Sequence, residues 1–347
     1  MAITLKSLEK KGLQTAIRKK VAVSPENLVK TAGFEASNYP LIITPKNDEV
    51  ELASWAENSQ SWIEEKLLEH GAILFQGFQV DQVEQFEKLV AATSDGSIEY
   101  NERAAVRRSV GNNVYTSTEY PADQSIPLHH EMSYSHNYPG KIWFYCSIPS
   151  VTLGATPIAD DRIVYEQISD EIKNLFEAKN VMYIRNYGEG LDLLWQEAFQ
   201  TNDRAAVEAY CRNAQITCEW RDGDRLRTKA IRKVTINHPK TNHKIWFNHA
   251  HLFHHSNIEP QVRKLLLEQY AEDELPRNAM FADGTLIETA ILDEIRQIYD
   301  QCSVRFDWNR GDILMVDNFL SSHGRDPFTG RREILVAMAE MHANLNI

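Results

Sequence analysis

The apolar residues near the start of the chain follow a helical period and then a strand pattern. Between residues 50 and 69 they recur at intervals of three, four and seven positions, which predicts an amphipathic helix on a core. Gly71 is a suitable helix stop, and the wholly apolar run 72–75 after it predicts a buried strand. A second helix is predicted over residues 80–93. The core-facing positions of these two helices are Leu52, Trp55, Trp62, Ile63, Leu67, Val83, Phe86 and Leu89.

The middle of the chain changes pattern twice. From about residue 110 to 160, short apolar and aromatic runs alternate with turn residues, which is typical of β-strands. A long stretch, 162–302, mixes both periods, and short strand-like runs then close the chain. In the mixed stretch, helices are predicted at 162–178, 191–199, 203–213, 258–272 and 287–300, and strands at 181–187, 214–220 and 243–248. The closing strands are predicted at 304–308, 313–316 and 334–338.

Strands on both sides of a long insert predict one β-core whose halves are far apart in sequence. A double-sheet jelly roll brings such halves together across its mouth. We therefore predict a mostly β fold with surrounding helices, with a double-stranded β-helix (jelly roll) core, in a single domain over residues 1–347. Residues 1–48 would form a peripheral arm with a short helix after Ser24, and residues 162–302 a mixed helical insert over the functional site.

Composition excludes several classes of protein. The chain has 347 residues, 43% hydrophobic and 25% charged, which suits a globular domain with a large core. A net charge of −12 argues against nucleic acid as a partner, since a phosphate backbone needs a basic surface. No apolar run approaches the roughly 20 residues of a membrane span, and no apolar signal segment is found at the N-terminus. The four cysteines form no CxxC pair, so we expect buried thiols such as Cys146 and a cytoplasmic location.

Two stretches carry the candidate chemistry. In the first, His129 and Glu131 are two positions apart, so on an extended strand both side chains point to one face. The second stretch, near the C-terminus, supplies His323. Two histidines and one carboxylate on one face of a metal, with the other face open, is the arrangement of non-haem Fe(II) oxygenases. Taken alone the His-x-Glu pattern is a weak signal, because the chain has 12 histidines and 49 acidic residues.

A second histidine cluster is the alternative metal site. His249 and His251 form a His-x-His pair, which His254 and His255 follow. Such a cluster could bind zinc, although neither a nearby cysteine nor a His-Glu-x-x-His pattern supports it. Its other interpretation is a loop that lines a cleft. His130, between the two candidate ligands of the first stretch, is predicted to point the opposite way.

A pair of arginines, Arg331 and Arg332, follows His323 beyond a Pro-Phe-Thr-Gly turn. A dicarboxylate such as 2-oxoglutarate needs a cation at its far end, and the planar guanidinium fork suits a carboxylate. Because neighbours on a strand alternate faces, one arginine should point into the barrel and the other outward. The alternative is a pair of surface arginines.

Together, these stretches resemble the taurine dioxygenase-like Fe(II)/2-oxoglutarate-dependent dioxygenases, in particular the clavaminate synthase-like branch, whose first motif is His-x-Glu. The resemblance extends from about Gly71 to Met338, and several motifs agree in order. Glu131 stands where taurine dioxygenase itself has Asp, which argues against a taurine-like substrate. The distal motif of the branch is matched by His323, Gly324, Arg325, Phe328, Gly330 and Arg332.

The resemblance also implies which residues form the site. The metal ligands for Fe(II) would be His129, Glu131 and His323. A threonine about 27 positions after the first histidine helps to hold 2-oxoglutarate in this family, and Thr156 stands there. Arg332 is the implied 2-oxoglutarate anchor, with Arg331 as the second choice.

The same resemblance implies Fe(II), 2-oxoglutarate and O₂ as the reactive components and hydroxylation as the usual outcome. Related halogenases lack the carboxylate ligand, so the presence of Glu131 disfavours halogenation. Desaturation or cyclisation uses the same ligands and stays open. Members with His-x-Glu often act on amino acids, free or tethered to a carrier protein, in natural-product pathways. A non-catalytic jelly-roll binding protein and a zinc enzyme on the histidine cluster are the rival interpretations.

The sequence gives the weakest evidence for the residues that would contact the substrate, because each candidate could equally be a packing residue. The candidates are Glu119, Tyr120, Met132, Tyr134 and Asn248. Two basic stretches, 103–108 and 225–233, could dock an acidic carrier protein or could be solvated surface.

Overall fold

The computed structural model of the protein describes residues 24–34, 38–95, 108–111, 114–117, 120–188 and 192–343. Three predictions fall wholly or partly outside this range. They concern the first part of the N-terminal arm (1–23), most of the basic stretch 103–108, and the candidate substrate residue Glu119.

The strands, in chain order, are β1 (Val29–Gly33), β2 (Leu41–Pro45), β3 (Ala72–Phe75), β4 (Ser109–Gly111), β5 (Val114–Thr116), β6 (Ile126–His129), β7 (Asn137–Ile148), β8 (Thr152–Leu153), β9 (Ile158–Asp160), β10 (Val181–Tyr187), β11 (Ile216–Arg221), β12 (Arg225–Arg232), β13 (Thr235–Asn237), β14 (Lys244–Trp246), β15 (Arg277–Phe281), β16 (Ile313–Asp317), β17 (Ser321–Arg325), β18 (Phe328–Thr329) and β19 (Glu333–Ala343). The α-helices are α1 (Leu52–Glu57), α2 (Gln60–His70), α3 (Val83–Ala92), α4 (Asp161–Gln167), α5 (Asp170–Lys179), α6 (Trp195–Phe199), α7 (Arg204–Asn213), α8 (Ala250–Phe253), α9 (Pro260–Gln269) and α10 (Thr289–Cys302). Short 3₁₀ turns lie at Pro25–Asn27, His255–Asn257 and Glu272–Glu274.

The centre of the fold is a pair of sheets. Eight strands form the larger sheet in the order β1-β2-β3-β16-β7-β19-β5-β4, and β6, β17 and β9 form the smaller one. The long strands β7 and β19 pair antiparallel over nearly their whole length. Strands from before and after the insert alternate, since β16 lies between β3 and β7 and β17 lies between β6 and β9. This alternation of early and late strands confirms the predicted jelly roll with surrounding helices.

The larger sheet buries a different apolar layer on each face, because successive side chains along a strand alternate sides. Trp143 of β7 is fully buried in the outer layer, which residues of α1, α2 and α3 complete. Phe144, the next residue, belongs to the inner layer, where its ring lies 4.9 Å from the ring of His323. The inner layer therefore forms one wall of the space that the candidate ligand His323 enters.

The N-terminal predictions hold with two corrections. The helix predicted over 50–69 is two helices, because α1 ends at Glu57 and is capped by Asn58, whose side-chain amide donates to the Ser54 carbonyl (2.7 Å). Gly71 ends α2 in a left-handed conformation (φ 76°), as predicted. The described part of the N-terminal arm is more than peripheral, since β1 and β2 extend the larger sheet and β2 runs parallel to β3.

The insert forms its own sheet, in the order β11-β12-β10-β15, and packs its helices against the smaller sheet. Its basic stretch 225–233 is mostly strand β12, which pairs with strands on both sides. Arg227 and Arg232 are buried there, so this stretch is not the open basic surface that carrier docking would need. The strand predicted at 304–308 is also wrong. A single bridge joins Val304 to Ile158, and Phe306 and Trp308 bury their rings without extending a sheet.

Among the described residues, no helix combines the length and the apolar character needed to cross a membrane. All four cysteines lie in described segments and none is in a disulfide. Cys146 is buried, as predicted, and burial raises the pKa of its thiol to about 12.

Candidate functional site

The three candidate ligands meet where β6 and β17 lie side by side. His129 at the end of β6 pairs directly with His323 of β17, and their rings are 4.6 Å apart. Glu131 follows β6 by two positions, and its Oε2 lies 3.7 Å from His323 Nε2. One ligand atom from each residue lies within 4.8 Å of the other two. The fold thus brings together the three residues that the two motifs single out.

The protonation state of His129 suits a metal ligand. Its Nδ1–H donates to the Pro127 carbonyl at 2.8 Å, which leaves the Nε2 lone pair for coordination. Desolvation, helped by the nearby His323, lowers the pKa of His129 to about 3, so the imidazole is neutral at physiological pH. Two imidazole nitrogens and one carboxylate form a donor set that fits Fe(II).

Gly324 sets the register that places His323 opposite His129. A β-carbon at this position would lie 2.6 Å from the Ile126 carbonyl oxygen and 3.3 Å from the Leu128 amide nitrogen. Only glycine lets β17 approach β6 this closely. The Gly of the distal motif therefore has a structural reason beside the metal site.

Asn318 fixes the backbone around Glu131. Its Oδ1 accepts the Glu131 N–H at 2.8 Å, and its Nδ2 donates to the Glu131 and Pro139 carbonyls at 3.0 and 2.8 Å. Its own carbonyl accepts the His130 Nδ1–H at 2.7 Å. The residue is fully buried, so these bonds replace water that cannot reach the groups.

Replacing Asn318 with Leu should lower the free energy of unfolding by about 2–4 kcal/mol, because it leaves buried backbone groups of the Glu131 turn unpaired. Urea titration followed by far-UV circular dichroism would measure the change. Asn257→Leu is the matched control, since Asn257 is exposed and a substitution there should stay within about 0.5 kcal/mol of wild type. Equal effects in the two variants would contradict a clamping role for Asn318.

His130 turns away from the ligands, as predicted, and pairs with Asp161 at 3.1 Å, where both side chains are fully buried. Burial alone would favour the neutral imidazole, but the Asp161 carboxylate outweighs it and raises the pKa of His130. Asp161 also accepts the Ser322 N–H at 2.5 Å. This bond network ties the turn after β6 to β17 behind the site.

A cavity beside the ligands contains a half-buried cation. Arg332 lines it together with His129 and His323, and its guanidinium donates to the Gly154 carbonyl (3.0 Å) and to Thr156 Oγ1 (3.2 Å). Burial, with a further effect of Arg325, lowers the pKa of Arg332 to about 10, so it remains charged at neutral pH. Apolar side chains form the walls between the cation and the ligands, including Phe144, Ile334 and Val336.

Thr156, the threonine 27 positions after His129, is buried at the cation end of this cavity. Its Oγ1 accepts bonds from Trp308 Nε1 (3.0 Å) and from Arg332. Arg331, in the turn between β18 and β19, is mostly exposed and pairs with Glu333 (3.2 Å). Of the two adjacent arginines, Arg332 thus lines the cavity and Arg331 does not, which disfavours the prediction of Arg331 as the second-choice 2-oxoglutarate anchor.

The candidate substrate residues fall into different environments. Tyr134 is buried beside the site, with its ring 5.2 Å from that of His249. Tyr120 is 46% exposed and lines an outer cavity that also contains Arg332. Met132 is buried in the apolar layer between the sheets. Asn248 is wrong as a substrate residue, because it is fully buried and its amide bonds Val234 O and Ala250 N (both 3.1 Å).

His249 is a neighbour of the metal site that sequence reasoning assigned to the rival cluster. Its ring lies 5.1 Å from that of His129, and its Nδ1 is 2.7 Å from Ser133 Oγ. The insert therefore supplies a side chain directly beside a candidate ligand. No spacing in the sequence distinguishes His249 from the other histidines of its cluster, because α8 turns them to different sides.

The rival zinc cluster does not form a site. His251 donates to the Leu128 carbonyl (2.8 Å) and stacks on Tyr299, whereas His254 bonds to Ser256 (2.8 Å). Within the segments that the structure describes, the group of His129, Glu131 and His323 is the one set of three or more histidine, cysteine or acidic side chains that gathers ligand atoms.

Comparison with known proteins agrees with this geometry. A model of the family described as "Taurine catabolism dioxygenase TauD, TfdA family" matches residues 36–338. The chain is 42% identical over 278 residues to the dapdiamide synthesis protein DdaC of Enterobacter agglomerans, which covers 80% of this chain and 84% of DdaC. It is 29% identical over 326 residues to a clavaminate synthase-like protein of Arabidopsis thaliana, covering 88% of this chain and 95% of that protein.

A solved structure shows the same fold at low identity. PvcB, described as an Fe, alpha-ketoglutarate dependent oxygenase from an isonitrile synthetic pathway, superposes with a TM-score of 0.54 and 13% identity. The match covers 96% of this chain and 98% of PvcB. The family match extends over most of the chain, and the donor set fits the metal that this chemistry uses. The chain therefore belongs to the TauD/TfdA family and is a dioxygenase that uses Fe(II), 2-oxoglutarate and O₂.

Proposed function

We propose that this dioxygenase hydroxylates an unactivated C–H bond of an amino acid, free or tethered to a carrier protein, in secondary metabolism. The observation that carries the proposal is the meeting of three candidate ligands beside a cavity lined by the half-buried Arg332. The similarity to a dapdiamide synthesis protein supports a place in natural-product biosynthesis. The four cysteines, none in a disulfide, support a reducing compartment such as the cytoplasm.

In this proposal His129, Glu131 and His323 hold the iron. When bound, Fe(II) supplies the oxidising chemistry in which 2-oxoglutarate and O₂ yield succinate and CO₂ and one oxygen atom enters the substrate. The contribution of the chain is to present two imidazoles and a carboxylate from one side. Pro127 orients the first imidazole through Nδ1, and Asn318 holds the backbone that carries the carboxylate.

Arg332 and Thr156 would hold the far carboxylate of 2-oxoglutarate at the other end of the cavity. Arg332 is already oriented by the Gly154 carbonyl and by Thr156, so little side-chain entropy remains to be lost on binding. The apolar wall of Phe144, Ile334 and Val336 keeps water away from the space between the cation and the ligands.

The substrate would approach from the side of the insert. His249 lies there next to His129 and against Tyr134, and Phe253 of α8 packs on the rings of His249 and Tyr134 (5.5 and 5.0 Å). A polar imidazole within an aromatic group suits a substrate that has both a polar head and an alkyl chain. An amino acid has both, since its backbone groups are polar and its side chain can be an alkyl chain.

A substrate screen with succinate as the readout tests the proposal. Free amino acids and the same amino acids attached to a carrier protein are offered side by side with Fe(II), 2-oxoglutarate and O₂. We expect one of these substrates to raise succinate formation well above the rate without substrate and to gain one oxygen atom by mass spectrometry. A product that has lost two hydrogens instead would favour the desaturase or cyclase alternative. If no amino acid in either form accelerates succinate formation, the proposed substrate class is wrong.

A further inference from the structure

Arg325, two positions after His323, is buried yet makes no contact that the proposed chemistry uses. It lines both the inner cavity with Arg332 and the outer cavity with Tyr120. Its guanidinium reaches the segment that precedes β6, residues 120–125, and donates to three carbonyls of that segment. The bonds are to Tyr120 O (3.0 Å), Pro121 O (2.5 Å) and Gln124 O (2.7 Å).

This segment borders the outer cavity. Tyr120 and Pro121 line that cavity, which shares Arg325 and Arg332 with the inner one. After this segment the chain forms β6, which ends at His129. The position of residues 120–125 therefore also determines where β6 begins. A further backbone anchor of the segment is the bond from the Phe328 N–H to the Ala122 carbonyl (2.8 Å).

Arg325 and Arg332 also share one aromatic ring. Their guanidinium carbons lie 5.2 and 5.5 Å from the centre of the Phe328 ring. Two cations beside one ring repel each other, and an anion bound next to Arg332 would relieve that repulsion. The position of residues 120–125, which Arg325 holds, is thus linked to the binding of an anion beside Arg332.

We propose that Arg325 is a positioning residue, which fastens residues 120–125 as the wall of the 2-oxoglutarate cavity. The planar fork is the reason for an arginine here, because five N–H donors in fixed directions can satisfy three carbonyls at once, whereas a lysine ammonium is a single point charge. The inference rests on the proposed role of Arg332 at this cavity and does not depend on the identity of the substrate.

Hydrogen–deuterium exchange of the full chain, loaded anaerobically with Fe(II) and then with 2-oxoglutarate, tests the proposal. In wild type we expect 2-oxoglutarate to slow exchange in peptides that cover 120–128. In Arg325→Gln we expect faster exchange confined to this region, by about tenfold, since charged hydrogen bonds to it are lost. The KM for 2-oxoglutarate should rise by a similar factor. The kcat at saturating 2-oxoglutarate should stay within about threefold of wild type.

Two further variants make the result specific. Arg305→Gln removes a neighbouring arginine that is exposed and pairs with Asp326 (3.0 Å), and it should leave both measurements unchanged. Arg325→Lys keeps the charge without the fork and should behave like Arg325→Gln. If the lysine variant restores the KM, Arg325 acts by charge on the ligand and the proposal is overturned. It is equally overturned if exchange rises throughout β17 as well, which would show a general structural role, or if exchange at 120–128 does not change. Because no amino acid substrate is present in the exchange measurement, these outcomes are separate from the substrate screen.

Discussion

Replacing His129 with Ala should remove the weak visible absorption band that forms when Fe(II) and 2-oxoglutarate are added to the wild-type protein without oxygen. Changes to groups that only orient a metal ligand cost 10- to 100-fold in metal affinity or activity, so loss of a ligand should lower succinate formation by more than about 100-fold. The reason is specific to the geometry, because His129 Nε2 is the nitrogen that the Pro127 bond leaves for coordination.

The control for this experiment comes from the rival histidine cluster. His255→Ala changes a partly buried imidazole near Glu272 and outside the group of three ligands, so the band and the rate should be retained. Loss of the band in both variants would show that it does not report the proposed site. Loss of the band in His255→Ala alone would support a metal site in the insert instead.

Replacing Arg332 with Gln should raise the KM for 2-oxoglutarate by about 10- to 100-fold, since a hydrogen bond to a charged group contributes about 1.5–3 kcal/mol. The half-buried guanidinium lies at the end of the cavity and also holds Thr156, so the variant loses both the charge and the orientation of the hydroxyl. Initial rates of succinate formation over a range of 2-oxoglutarate concentrations would measure the effect.

The adjacent residue is a matched control for the arginine. Arg331→Gln removes the same chemical group one position earlier, where the side chain is mostly exposed and pairs with Glu333, so the KM should not change measurably. A rise of similar size in both variants would contradict the assignment of Arg332 as the anchor.

The sequence predicted the motifs of the site well, because each motif combines a chemical requirement with a local period. His129 and Glu131 meet as predicted, but not on one extended strand, because β6 ends at His129 and Glu131 lies in the turn after it. The turn with Gly330 (φ 76°) returns the chain so that Arg332 faces inward. What the period could not decide is which of two adjacent arginines points inward. The three-dimensional placement of β18 and β19 decides it.

The insert was predicted least well, because tertiary contacts within it determine which of its polar side chains are buried. Strand β12 has Arg and Lys at most of its outward and some of its buried positions, so the usual alternation of apolar and polar residues is hidden. Its buried arginines are satisfied by tertiary partners, for example Asn186 and Asp273 at Arg227, which no local pattern shows. Asn248 was misassigned for the same reason, since its amide is used within the insert.

The bond between Glu131 and Asn318 joins positions 187 residues apart in the chain. On a ribosome, His129 and Glu131 are synthesised long before Asn318 and His323. The growing polypeptide therefore has only two of the three ligands for most of its synthesis. Contacts of such wide sequence separation form late, after the intervening segments have condensed. Iron that needs all three ligands can therefore bind only after the segment with His323 has been synthesised and has paired with β6.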